Sequence, residues 1–279
     1  MKILITGING FLGRNLIKSL KNHTLFGLGT KEQIIENVVV YNSNSLEDLE
    51  LDIDIVVICH AAVSSGNDVL KNNILFDVNV LLTEKITAKF KNAFFIYIST
   101  VSIYNTSTEV IFENSEINPQ SNYALSKLWG EKIVAANEKS TILRVSSIYG
   151  VGMKENTLIP NYINQALVNQ AIEVWGKGER FQNYVHVDDV SEYINQIINN
   201  KESLYGKVML GISKNQYSNL QISEIISEIT KAKIVFINED NSKSFHYNND
   251  LTTNLLHWTP KKDIKNELQK YIEWKQKGY

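Results

Sequence analysis

The sequence Thr6-Gly7-Ile8-Asn9-Gly10-Phe11-Leu12-Gly13 lies between a short apolar run, Ile3–Thr6, and a segment of helical period, Gly13–Lys21. In a strand–loop–helix unit, glycines spaced in this way permit a tight turn, close approach of the backbone to a pyrophosphate, and close packing of the helix on the sheet. The N-terminus of the helix adds free N–H groups and a partial positive charge. We therefore expect a dinucleotide cofactor here, in preference to a glycine-rich turn without a ligand. The residues predicted to bind it are Gly7, Asn9, Gly10, Phe11, Leu12 and Gly13.

The rest of the N-terminal half alternates between predicted strands and predicted helices. The runs rich in β-branched and aromatic residues, which predict buried strands, are Ile3–Thr6, Thr24–Leu28, Val38–Tyr41, Ile55–Cys59, Phe94–Ser99 and Thr141–Val145. The segments with helical period are Gly13–Lys21, Asn73–Phe90 and Asn122–Asn137. This alternation predicts an α/β fold of the Rossmann type, a doubly wound parallel sheet with helices on both faces.

Beyond Gly150 the alternation weakens, which predicts a smaller C-terminal substrate-binding lobe. Its expected helices are Asn161–Asn169 and Ser223–Ala232, and its expected strands are Ile172–Trp175, Val208–Leu210 and Ile234–Phe236. We assign residues 1–150 to the dinucleotide-binding domain, which the chain rejoins at about 184–207. Residues 151–183 and 208–279 are assigned to the smaller lobe.

The composition narrows the possible partners and the compartment. A net charge of −2 over 279 residues argues against a nucleic-acid or membrane-surface partner. No apolar run approaches the roughly 20 residues of a membrane span. The single cysteine, Cys59, fits a reducing compartment, so we expect a cytoplasmic protein. The histidines lack the spacing of metal ligands, and no metal is expected.

Tyr123 and Lys127 are four residues apart, so a helix would place them on one face. Such a pair also occurs on the surface of ordinary helices. Here the strand that precedes it in the chain ends in hydroxyl-bearing residues, Ser99 and Thr100, and α/β sheets bind their ligands at the carboxyl ends of the strands. This placement favours a catalytic pair.

Together these motifs resemble the extended short-chain dehydrogenase/reductase family of nucleotide-sugar epimerases, dehydratases and reductases. The matching features, in the family's order and spacing, are Thr6–Gly13; Cys59-His60-Ala61-Ala62; Ser99-Thr100 with Tyr104; Tyr123 with Lys127; Leu143-Arg144 with Tyr149-Gly150; and Gly176-Lys177-Gly178 leading to Tyr184-Val185-His186-Val187-Asp188-Asp189.

The resemblance implies a role for each matching residue. Tyr123 is expected to be the acid/base, with a pKa lowered by the ammonium of Lys127 and by the nicotinamide ring. Lys127 is expected to hydrogen-bond the nicotinamide ribose, and Thr100 the reacting oxygen. The resemblance further implies that Ala61 and Ala62 lie beside the cofactor. Implied substrate contacts are Thr100, Ser102, Tyr123 and Arg180, the last of these to the diphosphate of a nucleotide sugar.

The end of the second strand bears on the choice of cofactor. Dinucleotide folds that bind NAD commonly place a carboxylate there, whereas this chain has Gly29-Thr30-Lys31. Lys31, assisted by Thr30, could pair with the 2′-phosphate of NADP. We therefore expect NADP, with NAD as the alternative if Lys31 is a solvated loop residue.

The residues after Thr100 narrow the chemistry. Family 4,6-dehydratases carry carboxylates at the positions of Val101 and Ser102, and family members that epimerise carbons beside a ketone use a cysteine at the position of Ser102. What remains is reduction of a 4-keto nucleotide sugar, our first expectation, or a 4-epimerase with tightly held NAD. A non-catalytic dinucleotide sensor is a remote alternative, because such members typically lose the Tyr or the Lys.

A homodimer is also expected. The predicted helical segments Asn73–Phe90 and Tyr123–Asn137 have apolar faces wider than one sheet contact needs, and the resemblance implies that the two helices pair between subunits. The alternative is that both faces are buried within one monomer.

Overall fold

The computed structural model describes residues 1–63, 71–105 and 109–278. Its strands are β1 Lys2–Thr6, β2 Thr24–Gly29, β3 Gln33–Ile35, β4 Val38–Asn42, β5 Ile55–Ile58, β6 Phe94–Thr100, β7 Val110–Ile111, β8 Ser140–Val145, β9 Ser147–Tyr149, β10 Ala171–Trp175, β11 Phe181–His186, β12 Lys207–Gly211, β13 Gln216–Ser218, β14 Lys233–Ile237 and β15 His246–Tyr247. Its α-helices are α1 Phe11–Ser19, α2 Asn72–Phe76, α3 Leu82–Lys89, α4 Asn122–Ala135, α5 Leu158–Asn169, α6 Val187–Asn199, α7 Asn219–Thr230, α8 Asp250–Leu256 and α9 Ile264–Gln276. Within these described ranges, no helix is long and apolar enough to cross a membrane.

An eight-stranded sheet forms the centre of the molecule, in the order β12-β8-β6-β5-β1-β2-β4-β3. Every neighbouring pair is parallel except β3 with β4. The central strands β1, β5, β6 and β8 are buried almost throughout, as expected for a parallel sheet covered on both faces. The predicted Rossmann-type doubly wound sheet is confirmed, and β3 is an unpredicted short antiparallel edge.

Helices cover the two faces of this sheet. On one face α1 packs against α6, and the apolar side chains of both share a core with β1, β5 and β6. On the other face α3 and α4 pack together, contributing Ile86 and Val134 to a second core. The predicted helix Asn73–Phe90 is present as α2 and α3 joined by a π-helical turn, Asp77–Leu81. The helix α6, which follows β11, brings the chain back against α1 on the first face.

A separate core lies in the C-terminal part of the chain. It is built from α5, β10, α7 and α9, where the predicted helices and the strands β10 and β14 are present. The placement of Val208–Leu210 in the smaller lobe is wrong, because β12 pairs in parallel with β8 at the edge of the large sheet. Leu256, at the end of α8, likewise packs in the core of the large sheet.

Candidate active site

The glycine loop connects β1 to α1 at the carboxyl edge of the large sheet. Gly7 has a φ of +65°, and a Cβ there would lie 2.7 Å from the backbone Cα of His60. A Cβ at Gly13 would lie 2.5 Å from the Gly7 carbonyl oxygen. Gly10 is the N-cap residue of α1, whose first turn begins with Phe11 and Leu12. Because glycine has no side chain, no side chain caps the backbone N–H groups of this turn. These are the features of a loop on which a pyrophosphate is bound.

This loop borders a cleft of about 740 Å³. The residues that line it are Thr6, Gly7, Gly10, Leu28, Gly29, Thr30, Ser43, Asn44, Leu46, Glu47, Cys59, His60, Ala61, Asp77, Val78, Leu81, Leu82 and Lys85. Thr30 belongs to this set, but Lys31 is exposed and does not. Asn9 lies next to Gly29 at the border of this cleft, and its Oδ1 accepts a hydrogen bond from Gln33 at 2.9 Å. The segment Ser43–Glu47 was missed in the sequence because its residues follow no motif.

The π-helical turn positions Asn79 between the end of β5 and the helix α4. Its Oδ1 accepts from the Ala62 N–H at 2.8 Å, and its Nδ2 donates to the Ala62 carbonyl at 3.0 Å and to Ser126 Oγ at 2.9 Å. Asn79 is buried, so these bonds fix the strand end carrying Ala61 and Ala62 against α4. Single π turns of this kind are frequent at functional sites.

Thr100 and Tyr123 meet at the carboxyl end of β6. Thr100 hydrogen-bonds the Tyr123 phenol, and its Oγ1 donates to Ser102 Oγ at 3.0 Å. Burial raises the pKa of Tyr123 to about 12, while the hydrogen bond between Tyr123 and Thr100 works in the opposite direction. The phenol is therefore protonated at neutral pH. The expectation that Lys127 and the nicotinamide ring together lower this pKa concerns the protein with bound cofactor, and it stays a prediction.

Lys127 follows one helical turn after Tyr123 and is 2% exposed. Burial lowers the pKa of its ammonium to about 7, and the nearby Glu131 and Cys59 oppose that shift. His60 is held between Thr6 at 2.8 Å and Thr83 at 3.3 Å. Burial lowers the pKa of His60 to about 3, so it is a neutral ring that supports the site and does not exchange protons there at neutral pH.

A second cavity, of about 300 Å³, adjoins the catalytic strand end. Its lining residues are Val101, Ser102, Tyr104, Ile111, Gln120, Ser121, Ser146, Ser147, Arg180, Gln182, Asn183, Phe245 and Tyr247. Arg180 is half-buried, and its Nε is buried with no hydrogen-bond partner among the described residues. Gln182, two residues further along the chain and within β11, donates to Asn219 at 3.0 Å. The predicted substrate residues Ser102 and Arg180 therefore share one cavity.

The model of the NAD dependent epimerase/dehydratase family matches residues 3–211 of the chain. The chain belongs to this family. The match spans the large sheet, the glycine loop and the Thr100–Tyr123–Lys127 group, and it confirms the resemblance to the extended short-chain dehydrogenases/reductases. The family's members are NAD-dependent enzymes.

Individual members of the family are distant in sequence. The chain is 28% identical to a dTDP-D-glucose 4,6-dehydratase of Dictyostelium discoideum over 82% of its own length and 62% of the relative's. It is 23% identical to the uncharacterized UDP-glucose epimerase YtcB of Bacillus subtilis, over 98% of both chains. Among solved structures, MoeE5 in complex with UDP-glucose and NAD matches with a TM-score of 0.88 at 20% identity, covering 99% of each chain.

Proposed function

We propose that this protein oxidises and reduces a single carbon of a nucleotide-linked sugar, with 4-epimerisation as its first candidate reaction. The observation that carries the proposal is the meeting of Thr100, Tyr123 and Lys127 at the end of a buried parallel strand, with one cavity beginning at the next residues, Val101 and Ser102, and a second at the glycine loop. One cavity borders the glycine loop, and the other contains Arg180 and hydroxyl and amide groups suited to a sugar diphosphate.

The residues present fit a nicotinamide dinucleotide. A Cβ at Gly7 or Gly13 would collide with the protein backbone, so glycine at both positions permits the tight turn that a pyrophosphate-binding loop requires, and the first turn of α1 would hold the phosphates. Ala61 and Ala62, fixed by Asn79, would border its nicotinamide end. When bound, the cofactor supplies a hydride acceptor and donor for the sugar carbon.

Tyr123 carries the proton in this proposal. Its protonated phenol is ready to donate to a sugar oxygen, and the same oxygen is the base when an alcohol is oxidised. Thr100 holds the reacting oxygen in line with the phenol. The charged form of Lys127, one turn away, favours the phenolate and opposes the effect of burial on Tyr123.

The side chains next to Thr100 favour redox chemistry at one carbon. Val101 has no acidic proton, and the Ser102 hydroxyl is far less acidic than a carboxylic acid or a thiol. Elimination of water from the sugar needs an acid/base at this place. The 4,6-dehydratase activity in the name of the Dictyostelium relative is therefore not proposed for this chain.

Two candidates remain, and they differ in the use of the cofactor. The 4-epimerase, retaining NAD, is favoured by the end-to-end match to YtcB and by the placement of Lys31 outside the residues that line the cofactor cleft. The 4-keto reductase, exchanging NADP, is the second candidate. It is favoured by the absence of a carboxylate at Gly29-Thr30-Lys31.

The test is to identify the nucleotide released when the purified protein is denatured, and then to assay both reactions. Retained NAD and interconversion of UDP-glucose with UDP-galactose without added cofactor would support the epimerase. Consumption of NADPH with a 4-keto nucleotide sugar, weakened in Lys31→Ala, would support the reductase. Tyr123→Phe is the negative control for both, and conversion of the substrate by a protein that binds no dinucleotide would contradict the proposal.

The two lobes of the chain have separate roles in this proposal. We propose that the cofactor lobe comprises residues 1–150 and the segment from α6 through β12, and that the lobe around α5, α7 and α9 positions the substrate. Arg180 immediately precedes the strand β11.

A further inference from the structure

Tyr97 lies beneath the ammonium group of Lys127. It is fully buried in β6, and its ring centroid is 4.1 Å from Lys127 Nζ. Its hydroxyl also donates to the Lys127 carbonyl oxygen, at 3.4 Å. The face of an aromatic ring attracts a cation, and the attraction is strongest where water is excluded.

Gly130 is what lets Tyr97 reach this position. A Cβ on Gly130 would overlap the Tyr97 hydroxyl and lie 2.7 Å from Cζ of the ring. Glycine inside a helix weakens it relative to alanine, so its presence in the middle of α4 calls for a structural reason. The close approach of Tyr97 to the backbone of α4 supplies that reason.

Among the other groups that face Lys127, Glu131 supports its charge, but Glu131 is shared with Arg144. On its own helix it faces Tyr123 and Glu131, but both oxygens of Glu131 accept from Arg144, at 3.0 and 2.8 Å. From the end of β5 it faces Cys59 and His60, and burial raises the pKa of Cys59 to about 12, so both are neutral near pH 7. The Tyr97 hydroxyl is neutral as well, because burial raises its pKa well above its usual value.

We propose that Tyr97 is a positioning residue, whose ring face holds Lys127 in its charged form and directed at the reacting groups. The inference rests on the role proposed above for Lys127 in the catalytic group. Any buried side chain at position 97 would pack against Lys127. The electron-rich face of the Tyr97 ring additionally stabilises the charged form of this buried lysine.

The direct test is an NMR titration of the Lys127 Cε signal in protein with lysine-selective ¹³C labelling, assigned with Lys127→Arg. We expect Tyr97→Leu to lower the titration midpoint by about one pH unit or slightly more, which is the size of a desolvated cation–π contact. Tyr97→Phe keeps the ring face and should restore the midpoint to within a few tenths of a unit. Phe95→Leu, a buried aromatic on the same strand, is the matched control and should leave the midpoint in place.

The same change should appear in the pH profile of turnover. A lower pKa means that the ammonium loses its proton at lower pH, so the alkaline limb of the profile moves to lower pH in Tyr97→Leu. The NMR titration needs no substrate. A shifted midpoint in a protein that converts no nucleotide sugar would thus support this inference and count against the proposed function alone.

If Tyr97→Leu does not fold, fluorinated phenylalanines incorporated at position 97 provide the test, because fluorine weakens the ring face while nearly preserving its shape. We expect the Lys127 midpoint to fall stepwise with the number of fluorines. A flat response would overturn the proposal. So would equal shifts in Tyr97→Leu and Tyr97→Phe, which would assign the effect to the hydroxyl.

Discussion

Tyr123 is the proposed proton carrier, and its phenol shares a hydrogen bond with Thr100. Tyr123→Phe removes the proton but keeps the ring, so we expect turnover to fall by roughly 10²–10⁴-fold, the usual range for general acid–base catalysis. Affinity for the dinucleotide, measured by calorimetry, should change little. Retention of more than about a tenth of the wild-type rate would contradict this role for Tyr123.

Arg180 is the cation of the substrate cavity, and its buried Nε has no partner among the described residues. We expect Arg180→Ala to raise KM by roughly ten- to a hundredfold with little change in kcat. A charged hydrogen bond contributes roughly 1.5–3 kcal/mol, and a diphosphate contact is made equally in the ground state and the transition state.

Lys177, an exposed residue of the preceding turn, is the matched control. Lys177→Ala should leave KM unchanged. A fall in kcat at constant KM in Arg180→Ala would instead place Arg180 in the chemical step, and an effect of Lys177→Ala alone would move the diphosphate contact to Lys177.

Among individual residues, the sequence predicts those that belong to a motif with fixed spacing along the chain. The glycine loop, Thr100, Tyr123 and Lys127 were found because short-range geometry brings them to one strand end or helix face. Tyr97 and Gly130 were not identified, because their contact depends on how α4 lies on β6. The effect of burial on the pKa of Tyr123 was not foreseen either, since burial cannot be judged from spacing.

At the scale of the elements, a buried ion pair ties α4 to the sheet. Arg144 in β8 and Glu131 in α4 are 4% and 3% exposed in their side chains and are joined by two hydrogen bonds. Arg144 Nη1 also donates to Tyr104 Oη at 2.8 Å. The pair therefore holds the helix that carries Tyr123 and Lys127 against the strand next to β6.

Breaking this pair leaves a buried charge without a partner. We expect Arg144→Met to lower the free energy of unfolding by about 3–5 kcal/mol, measured by urea denaturation. Arg144→Met/Glu131→Leu should recover most of this loss, since two apolar residues can replace a buried pair. Lys265→Ala, which breaks the exposed pair with Glu228, is the control and should leave the midpoint nearly unchanged. A double variant as unstable as the single one would show that the hydrogen bonds to Tyr104, and not the unpaired charge, dominate.

The elements themselves were largely predictable. Each predicted strand of the large sheet is a continuous apolar run, and such a run is typical of a strand buried on both faces. The strand β12 was assigned to the wrong lobe, because an apolar run does not indicate which sheet it joins. The π turn at Asp77–Leu81 could not be predicted either, since one extra residue in a helix hardly changes its apolar period.

At the scale of the whole molecule, α2 and α4 present an apolar surface that the monomer leaves uncovered. We call it the α2–α4 face, and its exposed side chains are Ile74, Phe76, Leu125 and Trp129. Phe76 and Trp129 meet edge to face, with ring centroids 5.5 Å apart. A contiguous apolar surface of this kind is typical of a subunit interface, and we propose that a second copy of the chain covers it.

Light scattering at micromolar concentration should accordingly give about twice the chain mass of 31.8 kDa. Leu125→Glu/Trp129→Glu should yield a monomer, because two charges would be buried without partners. Val168, a 79% exposed apolar residue of α5, offers the control Val168→Glu, which should remain dimeric. A wild-type protein of single-chain mass would contradict the proposed dimer.

The central claim is that hydride and proton move at one sugar carbon through the group formed by Thr100, Tyr123 and Lys127. The most direct measurement is ¹H NMR of UDP- and dTDP-hexoses incubated with the purified protein in D₂O. The account predicts epimerisation at C4 with the original hydrogen retained on that carbon, no deuterium elsewhere on the ring, and no reaction in Tyr123→Phe. Deuterium at a ring carbon of the product, or an unchanged rate in Tyr123→Phe, would contradict it.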